Sequence, residues 1–393
     1  MRITRILAVV ALVLPMTACA DDSLGSDSGS GPINIGAVST LSGPVTFSEA
    51  PQAARAVFDE VNAKGGINGR KIVYTTADDK GDLAAATLAA RDIIQSKKAV
   101  ALAGGASLVD CQVNGPFYQR SNITDVRGIG VDAGCFTSAS ISPVNTGPFF
   151  GSTVTLYYAS EKLKYTKICA FFTIAAAGMA TGFRDGVDRW STITGKRLVV
   201  NDMSLTTSTT DYTPYVLRAR GAGCQAVLFS GLEPMSIGWF KAAQAQNITN
   251  IRWLFLAPIY TAEAAKALGS AGRNVVALSE FEPYSDTRSA ANRDWRDTMT
   301  RHGVPLSAFA QGGYLAAQHL VTVLRSIKGD ITRESVTRAV KNLKPLDSTM
   351  TGMPFTFGTG NSHASNLSAK FVKPDGKGDW TVLTPEWVKL PNT

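Results

Sequence analysis

Asp78, Asp79 and Asp82 in the run DDKGD form the densest group of carboxylates in the chain. Carboxylates so spaced could hold a divalent cation, but the run is read as a solvated strand-to-helix turn with Asp82 as the helix N-cap. The stretch 128–133, GIGVDA, matches the loose dinucleotide pattern GxGxxA. It lies deep in the strand series, away from the first strand-to-helix turn where that fingerprint sits. His302, His319 and His363 are scattered without ligand spacing, and there is no CxxC. GxSxG, HExxH and GxxxxGK[ST] are absent too, so the residues spell out neither hydrolytic nor phosphate-cradling chemistry and imply no metal or cofactor.

The remaining polar groups must be placed by the elements that carry them. The chain has 393 residues, 45% hydrophobic and 18% charged, enough for substantial cores in roughly two domains. Its net charge of +8 is spread without a basic block, which argues against nucleic acid as a partner. Arg2 and Arg5 precede an apolar run from Ile6 to Leu14, followed by Met16, Thr17, Ala18 and Cys19. That order reads as a lipoprotein signal, residues 1–18, with cleavage and lipidation at Cys19; an ordinary secretory leader is the alternative. Residues 19–32, rich in Ser, Gly and Asp, read as a flexible tether that would hold a folded body outside the cytoplasm on the bacterial membrane.

From Ile33 onward short apolar strands alternate with helical patterns, which means parallel βα units. INIGAV, RKIVYTT and AVALAGG read as strands of a first series; KICAFF, RLVVNDM, QAVLFS and RWLFL read as strands of a second. Ala54, Val57, Phe58 and Val61 recur at helical spacing, Gly65 and Gly66 end that helix, and Asn68-Gly69 turns the chain into the next strand. Helices are expected at about 289–301 and 309–327, Thr332 is expected to cap a further one, and AKFVK with WTVLT reads as a hairpin.

The string NAKGGINGRKI at 62–72, with DDKGD after it, resembles the leucine/isoleucine/valine-binding family of ABC-transporter substrate-binding proteins. The resemblance implies an α/β protein of the type I periplasmic binding protein fold, two doubly wound parallel-sheet lobes joined by a three-strand hinge. On that pattern residues 33–150 and 283–352 form the N-lobe, and residues 151–282 and 353–393 the C-lobe. It also implies a monomeric, non-enzymatic binding component that captures a small solute by hinge closure. The solute would be a branched-chain or hydrophobic amino acid, or a related carboxylate or amide, delivered to an ABC permease and its ATPase. A ligand-sensing subunit of a membrane receptor is the alternative on the same fold, and a secreted hydrolase on a similar scaffold a third.

Ligands of open parallel sheets bind beyond the strand carboxyl ends, where loops meet helix N-termini. In the N-lobe these loops offer Ser42 and Phe47, then Ala106 and Ser107, then Asp132; in the C-lobe they offer Ala177 and Gly178, Glu233 and Tyr260. The resemblance implies a ligand role for the Ser107 loop. It also implies a tyrosine where this chain has Ala177, and an acid for the ligand ammonium where it has Ile259. Asp132 and Glu233 are candidate replacements, or else helix N-terminal acids favoured by the dipole. Ser42 and Ser107 could equally cap helices, and Phe47 and Tyr260 could be cleft walls or surface aromatics. In an oxidising compartment Cys169 and Cys224 could pair across neighbouring strands, and Cys111 with Cys135 across two loops at the cleft mouth; buried free thiols are the alternative.

Overall fold

The computed structural model describes residues 31–391 except 44, 177, 359, 362, 364 and 365. The expected leader, Cys19 and nearly all of the tether therefore lie outside the described residues, as does Ala177. The first half of the chain runs β1 (Ile33–Ser39), α1 (Glu49–Ala63), β2 (Ile72–Asp78), α2 (Leu83–Arg91), β3 (Ala101–Ala103), α3 (Asp110–Arg120), β4 (Asp125–Arg127), α4 (Gly134–Thr137) and β5 (Ile141–Pro143). Its strands make one parallel sheet in the order β2-β1-β3-β4-β5.

Why 62–72 folds as it does can be read atom by atom. Helix α1 buries Ala54, Val57, Phe58 and Val61 on one face. Gly65 and Gly66 then take φ of 98° and 79°, and a Cβ on Gly66 would lie 2.0 Å from the Arg70 carbonyl oxygen. Asn62 closes the turn: its Nδ2 donates to the Ile72 carbonyl, and its Oδ1 accepts from the Ile72 N–H, each at 2.8 Å. The motif thus welds the end of α1 to the start of β2 by two hydrogen bonds and a glycine turn.

The second half opens with α5 (Gly147–Tyr157), then β6 (Ile168–Ile174), α6 (Met179–Thr194), β7 (Val200–Thr206), α7 (Thr213–Gly221), β8 (Ala226–Ser230), α8 (Glu233–Ala245), β9 (Arg252–Phe255), α9 (Ala262–Leu268) and β10 (Val275–Ser279). Helices α10 (Arg293–His302), α11 (Ala308–Ser326) and α12 (Arg333–Lys341) return to the first sheet, where α11 packs on α1 and β4, and α12 on β3. The chain ends with β11 (Ser368–Pro374), β12 (Trp380–Val382) and β13 (Val388–Lys389). Strands β7, β6, β8, β9 and β10 are mutually parallel; β11 adds antiparallel to β10, with β12 and β13 antiparallel to it.

The chain passes between the two sheets near residues 144–147, 280–284 and 344–367. Beneath β6 and β8 lies an aromatic layer in which Trp239 stacks on Phe229 at 4.5 Å and tilts against Phe171 at 5.0 Å. It supports the strand ends that carry Thr173 and Ser230. Both expected disulfides are formed: Cys111 in the first turn of α3 joins Cys135 in α4, and Cys169 in β6 joins Cys224 just ahead of β8.

Candidate functional site

The carboxyl ends of the parallel strands of both sheets face one cavity, the place where ligands of open parallel sheets bind. The first sheet contributes Phe47 after β1, Leu108 after β3, and Ile129, Gly130 and Val131 after β4. The second contributes Thr173 and Ala175 at the end of β6, Ser230 and Leu232 at β8, Leu256 and Pro258 after β9, and Leu278 in β10. Ala308 and Phe309, at the start of α11, complete the wall; the Phe309 ring lies 5.1 Å from that of Phe47. Most of this surface is hydrocarbon, so it favours an apolar ligand body.

One ionisable side chain faces the cavity among the described lining residues, and it is Glu280, immediately after β10. Its Oε1 accepts from the Gly147 N–H at 2.6 Å and from Asn145 Nδ2 at 3.0 Å. Asn145 also clamps the loop after β4, its Oδ1 accepting from the Gly130 N–H at 2.8 Å. Burial pushes the Glu280 carboxyl up to about 7, against the pull of those two hydrogen bonds. Thr173 Oγ1 is buried in the same lining without a hydrogen-bond partner among the described residues.

Of the nine positions expected from sequence to touch a ligand, the cavity takes in Phe47. Ala177 lies outside the described residues. Ser107 is buried and saturated: its hydroxyl donates to Asp79 and accepts from the N–H groups of Val109 at 3.1 Å and Asp110 at 2.9 Å, capping α3. Ser42 pairs with Asp78 at 2.5 Å on the surface, and Ala106 is buried in a backbone bridge to Ile129. Asp79 also accepts from Thr40 Oγ1 at 2.7 Å, and Asp82 caps α2 through the Ala85 N–H at 2.8 Å, so the DDKGD run is a structural knot.

Asp132 turns away from the cavity, although Val131 before it faces in. One of its oxygens accepts from the Gly134 N–H at 2.7 Å, the other has no hydrogen-bond partner among the described residues, and burial pushes the carboxyl up to about 6. With Cys111 and Cys135 it makes the one cluster of metal-ligand spacing among the described residues, but those sulfurs are joined to each other. Gly178 lines a separate groove with Phe136, Phe149 and Arg189. Glu233 opens α8 half-buried, beside Leu232 but outside the cavity lining, and burial raises its carboxyl. Tyr260 is core: its ring stacks on Tyr284 at 4.2 Å, and its hydroxyl bonds Ser285 at 2.8 Å. Ile259, at the position where the resemblance implied an acid, is fully buried hydrocarbon.

Sequence reasoning passed over Glu280, Asn145, Thr173, Ser230 and Phe309. A signal for Glu280 existed, since an acid directly follows the wholly apolar run VVAL and one serine. VVAL shows no apolar/polar alternation, so nothing in its pattern marks a strand or its carboxyl end.

Residues 32–378 match the family described as periplasmic binding protein. Among curated proteins, a Leu/Ile/Val-binding protein homologue of Brucella melitensis is 20% identical, covering 80% of this chain and 84% of its own. BraC3, a Leu/Ile/Val-binding protein of Rhizobium johnstonii, is 23% identical over the same shares. Among solved structures, the isoleucine complex of the branched-chain amino acid transporter substrate-binding protein LivJ from Streptococcus pneumoniae superposes with a TM-score of 0.75. It is 17% identical, covering 91% of this chain and 99% of that one. A fatty acid ABC transporter substrate-binding protein from Thermomonospora curvata gives a TM-score of 0.76 at 17% identity, covering 91% and 92%. These likenesses establish the type I fold, and no helix among the described residues is long and apolar enough to cross a membrane. The chain belongs to the periplasmic binding protein family, extracytoplasmic proteins that bind solutes and do not transform them.

Proposed function

We propose that this protein is the solute-capturing component of an ABC importer, taking up a small molecule with an apolar body and a polar head. The observation that carries this reading is the cavity on which the carboxyl ends of the parallel strands of both sheets converge, hydrocarbon over most of its lining. Two structural relatives bracket the ligand class: one is solved with isoleucine, the other is named for fatty acids. The ligand settles against Phe47, Ile129 and Phe309 on one lobe and Thr173, Ser230 and Leu256 on the other, and contacts with both hold a closed form that a permease and its ATPase recognise. In this reading the N-lobe and C-lobe divide at the three connecting segments, Cys19 carries the lipid, and the body acts as a monomer.

A thermal-shift screen of the body from residue 32 tests the reading, using amino acids, amides, and aliphatic and aromatic acids. A ligand at 100 times its Kd adds about 2.7 kcal/mol, which raises the midpoint clearly. No shift with any of these classes, or recovery of a chemically altered ligand, would sink it.

A further inference from the structure

We propose that Glu280 is the ion-pair partner of a positively charged amino group on the bound solute, so that ligand charge is sensed at the hinge itself. This rests on the solute-binding role proposed for the same cavity. The cavity has no lysine, arginine or histidine among its described lining residues, and Glu280 is its sole acid. One of its oxygens is already fixed by Gly147 and Asn145; among the described residues the other, Oε2, has no hydrogen-bond partner. Thr173 Oγ1, buried and likewise unpartnered, and the hydroxyl of Ser230 line the same space. The carboxyl is the one group in the described lining that can carry charge, and the two hydroxyls can turn their oxygens toward a donor, so the three N–H donors and positive charge of an ammonium suit the set.

The position of Glu280 adds a mechanical consequence. Asn145 and Gly147, which donate to its side chain, belong to the first connection between the lobes; Glu280 belongs to the second. From the third, Asn366 Nδ2 donates to the Glu280 carbonyl at 2.5 Å. All three connections therefore meet at this residue, and a charge seated against its carboxyl acts on every strand of the hinge.

Burial raises the empty-state carboxyl to about 7, with no charged side chain contributing. The groups facing it, Asn145, Gly147 and Asn366, do not titrate, and the charged residues of the neighbouring stretch, Glu282 and Lys370, neutralise each other at 2.7 Å. Seating an ammonium favours the carboxylate, so binding below pH 7 releases a proton from Glu280.

The test is isothermal titration calorimetry of wild type and Glu280→Gln with matched probes: leucine and 4-methylpentanoate, norleucine and hexanoate, phenylalanine and 3-phenylpropanoate. Each is run at pH 6 in two buffers of different ionisation enthalpy. Glutamine keeps an acceptor for Gly147 and Asn145 but carries no charge. The expected result is that an amine-bearing member binds wild type, loses roughly 100-fold in affinity in the variant, and releases protons on binding to wild type but not to the variant. Tight binding of des-amino members alone, or an amine-bearing ligand indifferent to the substitution, overturns this inference and leaves the binding role intact. Failure of every probe to bind overturns this inference, and the binding role falls with it only if the thermal-shift screen is silent as well.

Discussion

Burying a carboxyl with no cation beside it costs free energy, and the cost at Glu280 depends on pH. Its folded-state carboxyl, near 7, stands above the ordinary value of 4.5. The stability it allows is therefore fully present below pH 4.5 and is lost as pH rises through 7, on the order of 3 kcal/mol by pH 8. In urea melts the empty Glu280→Gln protein should exceed wild type in stability at pH 8 and converge with it near pH 4.5. Contributions of other buried carboxyls, such as Asp132, cancel in that difference. A variant that binds amines more weakly yet folds more stably would identify the acid as kept for recognition. His319 has the opposite slope. Buried in α11 with its ring stacked on Phe355 at 4.7 Å, it is pushed down from 6.5 to about 4 by desolvation. A depressed base stabilises above its unfolded value, so stability falls as pH drops from 6.5 through 4, again by about 3 kcal/mol. His319→Phe, which keeps the stack, should flatten that acid limb; an unchanged limb would place the acid sensitivity elsewhere.

At the scale of elements, legibility followed amphipathicity. Helix α1 buries one face, and its glycines sit at positive φ where the sequence reading places the stop. Thr332 caps α12 in a full capping box with Ser335, and the final hairpin pairs β11 with β12. Helix α5 has no exposed residue and therefore no solvated polar face to set a period. Strand β5 is three residues long, too short to alternate. Strand β10, buried throughout, had no period-two pattern either, and with it went Glu280. The loop residues expected as ligand contacts lie beyond strand ends, but sequence alone carries no direction for their side chains. Ser107 and Asp132 point into their own lobe, where each has a local hydrogen bond to make. The two disulfides span 24 and 55 residues. On chain entropy alone the shorter contributes at most about 3.5 kcal/mol and the longer about 4. Replacing Cys169 and Cys224 with alanine should therefore lower the melting temperature slightly more than replacing Cys111 and Cys135. A reversed order would mean that local packing at α3 and α4 outweighs loop closure.

For the whole molecule, the geometry constrains what a ligand can do. Both sheets present their carboxyl ends to one cavity, and three connections that meet at Glu280 join the lobes. A solute contacting one lobe alone binds open and closed forms equally and shifts nothing, however tightly it is held. A solute touching both lobes gains its second set of contacts only on closure, and that difference is the free energy that moves the population. Moving the balance from 1:99 to 99:1 needs about 5.5 kcal/mol of preference for the closed form. Burial of a few apolar groups against Leu256, Pro258 and Phe309 supplies energy of that order at about 25 cal/mol per Å². Small-angle scattering of the body should therefore show a smaller radius of gyration with any solute that raises the melting temperature. A stabilising solute that leaves the radius unchanged would mean that it rests on one lobe, and that capture here proceeds without closure.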